Sequence, residues 1–294
     1  MLFRSPVLYA PAMHTEMWQH PATQASAALL RDRGALVLEP ATGRLTGPDT
    51  GPGRLPEPAE LFEAAVRVLR RGAGGLAPDL LGRRVVISAG GTREELDPVR
   101  FLGNWSSGRQ GYALASTAAA RGADVTLVSA NVALADLAGV KVIRVTSALQ
   151  LREAMVAAAA GADAVVMAAA VADYRPAVRH DSKIKKTGAG PEPIALIENP
   201  DVLRELSARR GRPGQVVVGF AAETEDLAGN GRAKLSGKGC DLLVVNQVGG
   251  GLAFGTDDNE ALVLAADGAV THIPRSRKEE LADAVWDMVA ARLS

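Results

Sequence analysis

The sequence is poor in the residues that make disulfides and metal cages. Its 294 residues include one cysteine, Cys240, and four histidines. A single cysteine excludes an internal disulfide, a multi-cysteine zinc site and a cysteine-ligated cluster. The four scattered histidines show no metal-binding spacing, so no metal ligands are predicted. Because Cys240 opens the apolar run CDLLVVN, we expect it to be a buried structural thiol, not a nucleophile.

The chain also lacks a net charge and a long apolar run. Its 33 basic residues balance 33 acidic residues, so no overall field favours nucleic acid or a membrane as a partner. No stretch approaches the ~20 apolar residues of a membrane span, and the N-terminus lacks the features of a signal peptide. We therefore predict a cytoplasmic protein that binds small molecules, not nucleic acid or membranes.

From residue 84 onward, short apolar runs alternate with helical patterns. This alternation predicts an α/β fold with a doubly wound, mostly parallel Rossmann-like sheet. The run ALVLAADGAVTHI is split by Asp267-Gly268, which predicts an antiparallel hairpin added near the C-terminus. The predicted strands are 85–88, 125–129, 142–145, 164–167, 216–220 and 242–245. The predicted helices are 109–121, 147–160, 200–209, 223–238 and 276–293.

Residues 1–76 follow a different pattern. They contain two predicted helices, 22–33 and 59–71, separated by a loop dense in glycine and proline. This segment is too short for the usual α/β domain. We therefore predict two domains, 1–76 and 77–294, joined by a glycine-rich linker.

The strongest functional signal is SAGGTREELDPVRFLGNWSSGRQG, which lies between a predicted strand and a predicted helix. A glycine turn and a helix start place backbone N–H groups and a positive helix end where an anion can sit. The segment matches neither G-x-G-x-x-G nor the Walker pattern, so a tight turn without a ligand is the alternative. The predicted phosphate or substrate loop consists of Gly90, Gly91, Thr92, Arg93, Ser106, Ser107 and Gly108.

Two later segments also follow predicted strands, and therefore face the same edge of a parallel sheet. Ala168–Ala170 would let a flat ligand approach the backbone beside Asp173; a small-residue packing seam is the alternative. Lys183, Lys185 and Lys186 lie on a glycine-flanked loop, which suits a mobile lid that closes on phosphates. A solvated basic loop is the alternative there.

Three further signals lie toward the C-terminus. Lys234 and Lys238 are four residues apart, so a helix would present both ammonium groups on one face. Phe220 ends a predicted strand and could stack on a base, although a core role is commoner. Asn199-Pro200-Asp201 could be no more than a helix start. Together, these lysines and carboxylates fit a nucleoside triphosphate better than a nicotinamide dinucleotide.

Several motifs occur in a fixed order along the chain: SAGGTREELDPVRFLGNWSSGRQG, AAAVADYRP, KIKK, NPDVL, GFAAET and KGCDLLVVN. From about residue 79 to the C-terminus, this order resembles the phosphopantothenate–cysteine ligase half of the bifunctional coenzyme A biosynthesis protein family. The resemblance implies that the carboxylate of 4′-phosphopantothenate attacks the α-phosphate of CTP, which releases pyrophosphate and leaves an acyl-cytidylate. The amine of cysteine then displaces CMP to give 4′-phosphopantothenoylcysteine.

The resemblance also implies roles for individual residues, Mg²⁺ or Mn²⁺ with CTP, and a homodimer formed through the ligase domain. The implied catalytic residues are Asn104, which handles the acyl-cytidylate, and Lys183. The implied CTP-binding residues are Ala169, Asp173, Lys183, Pro200, Asp201, Val202, Leu203, Phe220, Lys234 and Lys238.

Residues 1–76 resemble the C-terminal part of the flavin-dependent decarboxylase half of that family. PAMHTEMW resembles its substrate clamp, with His14 where many relatives have asparagine. Residues 45–54 resemble its active-site loop, with Gly47 in place of the proton-donating cysteine. The flavin-binding front half is missing in this interpretation. We therefore expect a truncated fragment without decarboxylase activity, and FMN only in an intact bifunctional protein.

Three alternatives stay open: an NAD(P)-dependent oxidoreductase or epimerase, a non-catalytic nucleotide-binding protein, and a decarboxylase. The oxidoreductase would be expected to carry G-x-G-x-x-G and an acidic residue after its second strand, where this chain has Ser129-Ala130-Asn131. Binding of NAD(P)H would favour it. CTP binding without pyrophosphate release would favour the second alternative, and a yellow flavin colour the third.

Overall fold

The computed structural model describes residues 6–45, 50–185, 193–223, 225–247 and 258–293. The chain divides into two compact units, Met1–Pro78 and Asp79–Ser294. We predicted a domain boundary after residue 76, and the division by contacts falls after Pro78. Among the described helices, none is long and apolar enough to cross a membrane.

The first unit is small, and proline starts both of its longer helices. Its elements are β1 (Leu8–Tyr9), α1 (Thr15–Gln19), α2 (Pro21–Asp32), β2 (Leu36–Val37), β3 (Ala41–Arg44), β4 (Thr50–Arg54), α3 (Pro58–Arg71) and a 3₁₀ helix (Gly72–Leu76). Strand β1 pairs in parallel with β2, and β3 pairs antiparallel with β4. A capping box formed by Glu57 and Glu60 fixes the start of α3.

The second unit is built on one large sheet. Its strands are β5 (Arg84–Gly90), β6 (Arg93–Glu95), β7 (Phe101–Gly103), β8 (Asp124–Ala130), β9 (Val140–Val145), β10 (Ala164–Met167), β11 (Tyr174–Pro176), β12 (Leu196–Glu198), β13 (Val216–Glu223), β14 (Leu242–Gln247), β15 (Asp258–Ala265) and β16 (Val270–Arg277). Its helices are α4 (Arg109–Ala120), α5 (Ala148–Ala159), α6 (Val202–Ala208), α7 (Leu227–Lys238) and α8 (Lys278–Leu293).

Eight strands form that sheet in the order β16-β15-β14-β13-β10-β5-β8-β9. The six strands from β14 to β9 are parallel, and β15 runs antiparallel to both β14 and β16. Two small two-stranded antiparallel sheets, β6–β7 and β11–β12, stand apart from it. The fold is therefore α/β with a mostly parallel central sheet, as the alternation of strands and helices predicts.

Helices cover both faces of the large sheet. Helices α4 and α8 bury one face, where the Trp286 ring is fully buried and its Nε1 donates to the Leu114 carbonyl at 2.9 Å. Helices α5, α6 and α7 bury the other face, with Leu151 and Met155 in its core. Because both faces are covered, the central parallel strands are mostly apolar, as in β10, where all four residues are buried.

Candidate active site

The chain reverses its direction of winding at β5. From β5 it continues to β8 and β9 on one side, and it later returns to β10 on the other side. Open α/β sheets bind ligands in the crevice outside the carboxyl ends of the strands at such a switch point. The candidate site is therefore the edge where β5 and β10 end.

The glycine turn after β5 brings the strand ends close together. Gly90 has a φ of +87°, and a Cβ atom there would lie 2.0 Å from the Ala130 carbonyl oxygen. The N–H of Gly91 donates to that oxygen at 3.1 Å, and the N–H of Thr92 donates to the Ala170 carbonyl at 3.2 Å. The N–H of Arg93 also donates to a backbone carbonyl. Because these three N–H groups are already hydrogen-bonded, they are not available to bind an anion, contrary to what the glycine-rich sequence suggests.

The start of α4 is the remaining candidate for anion binding. Gly108 caps the helix in the left-handed conformation, with φ +76°. Its N–H donates to Ser106 Oγ at 3.3 Å, and the N–H of Arg109 donates to Ser107 Oγ at 3.5 Å. These long bonds are weak, so an incoming phosphate could replace the serine oxygens at the positive helix end.

Asn104 and Thr92 join the loop after β5 to the segment after β10. The Asn104 side chain is exposed, and its Nδ2 donates to the Val171 carbonyl at 3.1 Å. Thr92 is buried, and its Oγ1 accepts the N–H of Ala172 at 3.0 Å. The residue predicted to handle the acyl group is therefore hydrogen-bonded to the segment predicted to hold the nucleotide.

The alanine-rich segment after β10 is fastened on both sides. The N–H of Ala169 donates to Ser88 Oγ at 3.1 Å. Asn199 donates its N–H to the Asp173 carbonyl at 2.8 Å and its Nδ2 to the Ala172 carbonyl at 2.9 Å. The Asp173 side chain is exposed at this edge. Sequence reasoning treated Asn199 only as a helix-start signal; its bonds cross between distant segments, which no local pattern reveals.

The residues after Asn199 divide between the site and the core. Asp201 caps α6 by accepting the N–H of Arg204 at 3.1 Å. Val202 and Leu203 are only 3% and 9% exposed and belong to the core under α6. Their side chains therefore pack in the interior, and only the backbone of this predicted segment, with Pro200, is left to meet a nucleotide.

The two lysines predicted on α7 are each paired with a carboxylate. Lys234 Nζ lies 2.5 Å from Glu223 Oε1, and Lys238 Nζ lies 2.6 Å from Asp201 Oδ2. Lys238 and Asp201 are both partly exposed, and exposed ion pairs contribute only about 0–1 kcal/mol, so a phosphate could exchange for Asp201. The Glu223 side chain is only 12% exposed, so its pair with Lys234 is not of this weak kind. Phe220 is half-buried and packs against the core on the α4 side of the sheet.

The lysine-rich segment is held through a buried aspartate. The Asp97 side chain is fully buried, and its Oδ2 accepts the N–H of Ile184 at 3.1 Å. Burial would raise the pKa of the Asp97 carboxyl, but hydrogen bonds from Arg100 and from three backbone N–H groups outweigh it. They hold that pKa well below its usual range. Lys183 itself is exposed. Lys186 and Gly47 lie outside the described residues.

The part of the chain that the structure describes has neither a cluster of metal ligands nor an accessible thiol. There, no group of three or more His, Cys, Asp or Glu side chains could hold a metal ion. Cys240 is free and 2% exposed, and burial raises the pKa of its thiol to about 11. The prediction of a buried structural thiol is confirmed.

Comparison with known proteins identifies two family models in the chain. The DNA/pantothenate metabolism flavoprotein C-terminal domain matches residues 80–293, and the flavoprotein family matches residues 2–70. The second match does not support our expectation that residues 1–76 are a truncated decarboxylase fragment. The flavoprotein match covers most of residues 1–76, the segment that we expected to lack flavin chemistry.

Individual relatives agree with these matches. The coenzyme A biosynthesis bifunctional protein CoaBC of Mycobacterium tuberculosis H37Rv is 53% identical over 301 residues, covering 99% of this chain and 72% of that protein. A cysteine/cysteine sulfinic acid decarboxylase from an unidentified prokaryote is 40% identical, covering 95% of this chain and 77% of that protein.

A solved structure extends the likeness to three dimensions. The crystal structure of the C-terminal domain of a CoaBC protein is 34% identical, with a TM-score of 0.63. The alignment covers 74% of this chain and 98% of that domain. The chain belongs to the family of the coenzyme A biosynthesis bifunctional proteins CoaBC.

Proposed function

We propose that the second unit is a phosphopantothenate–cysteine ligase of coenzyme A biosynthesis. It uses CTP to convert 4′-phosphopantothenate into an acyl-cytidylate, and it transfers the acyl group to the amine of L-cysteine. Pyrophosphate leaves in the first step and CMP in the second. The family match supports the ligase over an oxidoreductase or a non-catalytic nucleotide-binding protein.

The observation that carries this proposal is the link between the loop after β5 and the segment after β10. Asn104 donates to Val171, and Thr92 accepts from Ala172. The reaction must bring an acyl carbonyl and a nucleotide α-phosphate into contact. At this switch point, the loop after β5 predicted to bind the substrate is hydrogen-bonded to the segment predicted to bind the nucleotide, which meets that requirement.

Electrostatics account for the lysines. A carboxylate that attacks a polyphosphate is repelled by it, so the transition state needs positive charge around the phosphates. Lys183, Lys234 and Lys238 supply three ammonium groups. We expect Lys238 to leave Asp201 and turn to the phosphates when CTP binds, while Lys234 adds its charge from its pair with Glu223. Asn104, being neutral, can donate to the acyl oxygen without trapping the intermediate by charge.

A divalent ion fits this edge only as a companion of the nucleotide. Mg²⁺ in nucleotide sites is held by one or two carboxylates together with substrate phosphates and water. Asp173 is an exposed carboxylate that could supply that single ligand, and Mn²⁺ would suit the same donors. When bound, the ion would neutralise charge on the triphosphate and on the departing pyrophosphate.

A ligation assay tests the proposal. Purified protein is incubated with 4′-phosphopantothenate, cysteine and Mg²⁺, and the products are identified by mass spectrometry. We expect 4′-phosphopantothenoylcysteine and CMP in equal amounts when CTP is present. The absence of ligation product with CTP, from a folded protein that binds NAD(P)H, would overturn the proposal in favour of the oxidoreductase.

We further propose that the second unit forms a homodimer. A group of apolar side chains on and beside β7, β11 and β12 is between 43% and 88% exposed: Phe101, Trp105, Tyr174, Val178, Ile194, Leu196 and Ile197. A two-stranded sheet such as β11–β12 is marginal by itself. In a dimer with a two-fold axis, the same surface of each copy would pack against the other, and both sets of apolar side chains would be buried.

We also propose that the first unit does not decarboxylate. Glycine at position 47 has no acidic proton to donate where the family carries a cysteine. The flavoprotein match makes FMN the cofactor to test for. We expect the purified protein to be colourless between 370 and 450 nm, roughly the range of flavin absorption. A yellow protein that releases CO₂ from 4′-phosphopantothenoylcysteine would overturn this proposal.

A further inference from the structure

The β6–β7 hairpin connects the candidate active site to the lysine-rich segment. Its base, Thr92 and Asn104, is bonded to the nucleotide segment after β10. Its tip, residues 96–100, contacts the segment that contains Lys183. Three residues of extended strand span about 10 Å, so the hairpin acts as a short strut between the two.

At the tip, one buried carboxylate accepts five hydrogen bonds. Asp97 Oδ1 accepts the N–H groups of Val99 and Arg100, both at 2.8 Å. Asp97 Oδ2 accepts Arg100 Nε at 2.9 Å, Arg100 Nη2 at 2.5 Å and the N–H of Ile184 at 3.1 Å. A carboxylate with this number of donors is held in a single orientation.

Arg100 completes a two-point hold on Ile184. While Asp97 accepts the Ile184 N–H, Arg100 Nη2 donates to the Ile184 carbonyl at 2.8 Å. The chain just before is also attached: His180 N–H donates to the Leu96 carbonyl at 2.9 Å, and Arg179 Nε donates to Glu95 at 2.6 Å. Both backbone groups of the residue next to Lys183 are therefore fixed on the hairpin.

We propose that Asp97 is a positioning residue for Lys183, which it fixes through the backbone of Ile184 at the tip of the β6–β7 strut. This inference rests on the proposed ligase function. On an unattached loop, both the backbone and the side chain of an exposed lysine would become ordered only when the triphosphate binds. The entropy lost in that ordering reduces the net free energy of binding. Fixing the backbone beforehand leaves only the side chain to be ordered, so the ammonium group is available at lower entropic cost.

The test compares Asp97→Asn with Asp181→Asn. Both remove one negative charge near Lys183, but Asp181 is fully exposed and pairs with Arg179 at 3.4 Å. We expect Asp97→Asn to lower kcat between about 10- and 100-fold, and Asp181→Asn to change it less than about 2-fold. In the Lys183→Ala background, Asp97→Asn should cost less than about 3-fold, because the two residues act through one path. Equal losses in both backgrounds would overturn the proposal.

Amide hydrogen exchange provides a readout that does not depend on activity. In the wild-type protein, the Ile184 amide should exchange slowly, and Asp97→Asn should accelerate it at least about 10-fold while Asp181→Asn does not. If the protein had no ligase activity, the proposed function would fail, and exchange would still decide whether Asp97 holds Ile184. Rapid exchange in the wild-type protein would overturn the hold itself.

A second variant covers the case in which Asp97→Asn does not fold. Ile184→Pro removes the N–H that Asp97 accepts but leaves Asp97 and Arg100 bonded to each other. We expect a loss of kcat as large as that of Asp97→Asn, with an unchanged melting temperature. Wild-type turnover in a folded Ile184→Pro protein would contradict the proposal.

Discussion

Asn104 and Lys183 illustrate two ways in which a side chain can serve the same reaction. Asn104 is bonded to the Val171 carbonyl and stands at the switch point itself. Lys183 is exposed and depends on its neighbour Ile184 for its placement. The first is therefore suited to contact the reacting carbonyl, and the second to bring charge to phosphates.

Lys183→Ala tests the need for that charge. The lysine is exposed, so its removal should leave the melting temperature unchanged. We expect turnover to fall at least about 100-fold, because a cation that stabilises the transition state is lost. Steady-state kinetics and thermal denaturation measure the two effects. Wild-type turnover would remove Lys183 from the mechanism.

Asn104→Asp separates the two chemical steps. A carboxylate can no longer donate to the Val171 carbonyl or to an acyl oxygen, and its charge repels the developing oxyanion in the second step. We expect the acyl-cytidylate to form and accumulate, which quenched-flow mass spectrometry would detect. Unchanged steady-state turnover with no accumulated intermediate would exclude this role.

At the scale of elements, the glycine turn after β5 sets how closely neighbouring strand ends approach. Gly90→Ala would place a methyl group against the Ala130 carbonyl in a left-handed conformation. We expect a loss of about 3 kcal/mol or more in the free energy of unfolding. Gly82 has a similar φ of +75° but nothing within 4 Å, so Gly82→Ala should cost only about 1 kcal/mol. Equal losses in urea denaturation would contradict the close approach.

The long elements of the second unit could be predicted from sequence, but the short ones could not. Each of the six predicted strands lies within an observed strand, because apolar runs such as VVV at 216–218 are buried on both faces. Strands β6 and β12 are three residues long and mostly exposed, with sequences REE and LIE. Such segments carry no periodicity, and only contacts with distant residues make them strands.

The same distinction applies to the site. The glycine turn and the helix start are local, so the sequence predicts their conformation. The partners of the lysines are not local: Lys238 meets Asp201, 37 residues away. The bonds of Asp97 to Ile184 and of Asn199 to Ala172 could not be predicted for the same reason, since each joins residues far apart along the chain. The family resemblance implies that Val202 and Leu203 contact the nucleotide, and because their side chains pack in the core, only their backbone could make that contact.

On the scale of the whole molecule, two compact units each match a different family model. The second unit contains all the residues assigned to the ligase. A fragment that begins at Asp79 should therefore retain ligation, provided that its own surface for self-association is intact.

Self-association should depend on the apolar surface around β12. Ile197→Glu would place a charge within it, and we expect a shift from dimer to monomer in light scattering. Val270→Glu provides a control, because Val270 is similarly exposed, at 46%, on β16, an edge strand of the large sheet to which β12 does not belong. Dimerisation that survives Ile197→Glu, or is lost equally in Val270→Glu, would contradict this surface as the interface.

The most direct test of the whole account is pyrophosphate release with CTP, Mg²⁺ and 4′-phosphopantothenate, measured with and without cysteine. Without cysteine, we predict one pyrophosphate per site, because the acyl-cytidylate forms and then waits. With cysteine, release should become continuous and match the CMP formed. No release under either condition from a folded protein would contradict the ligase mechanism proposed for this site.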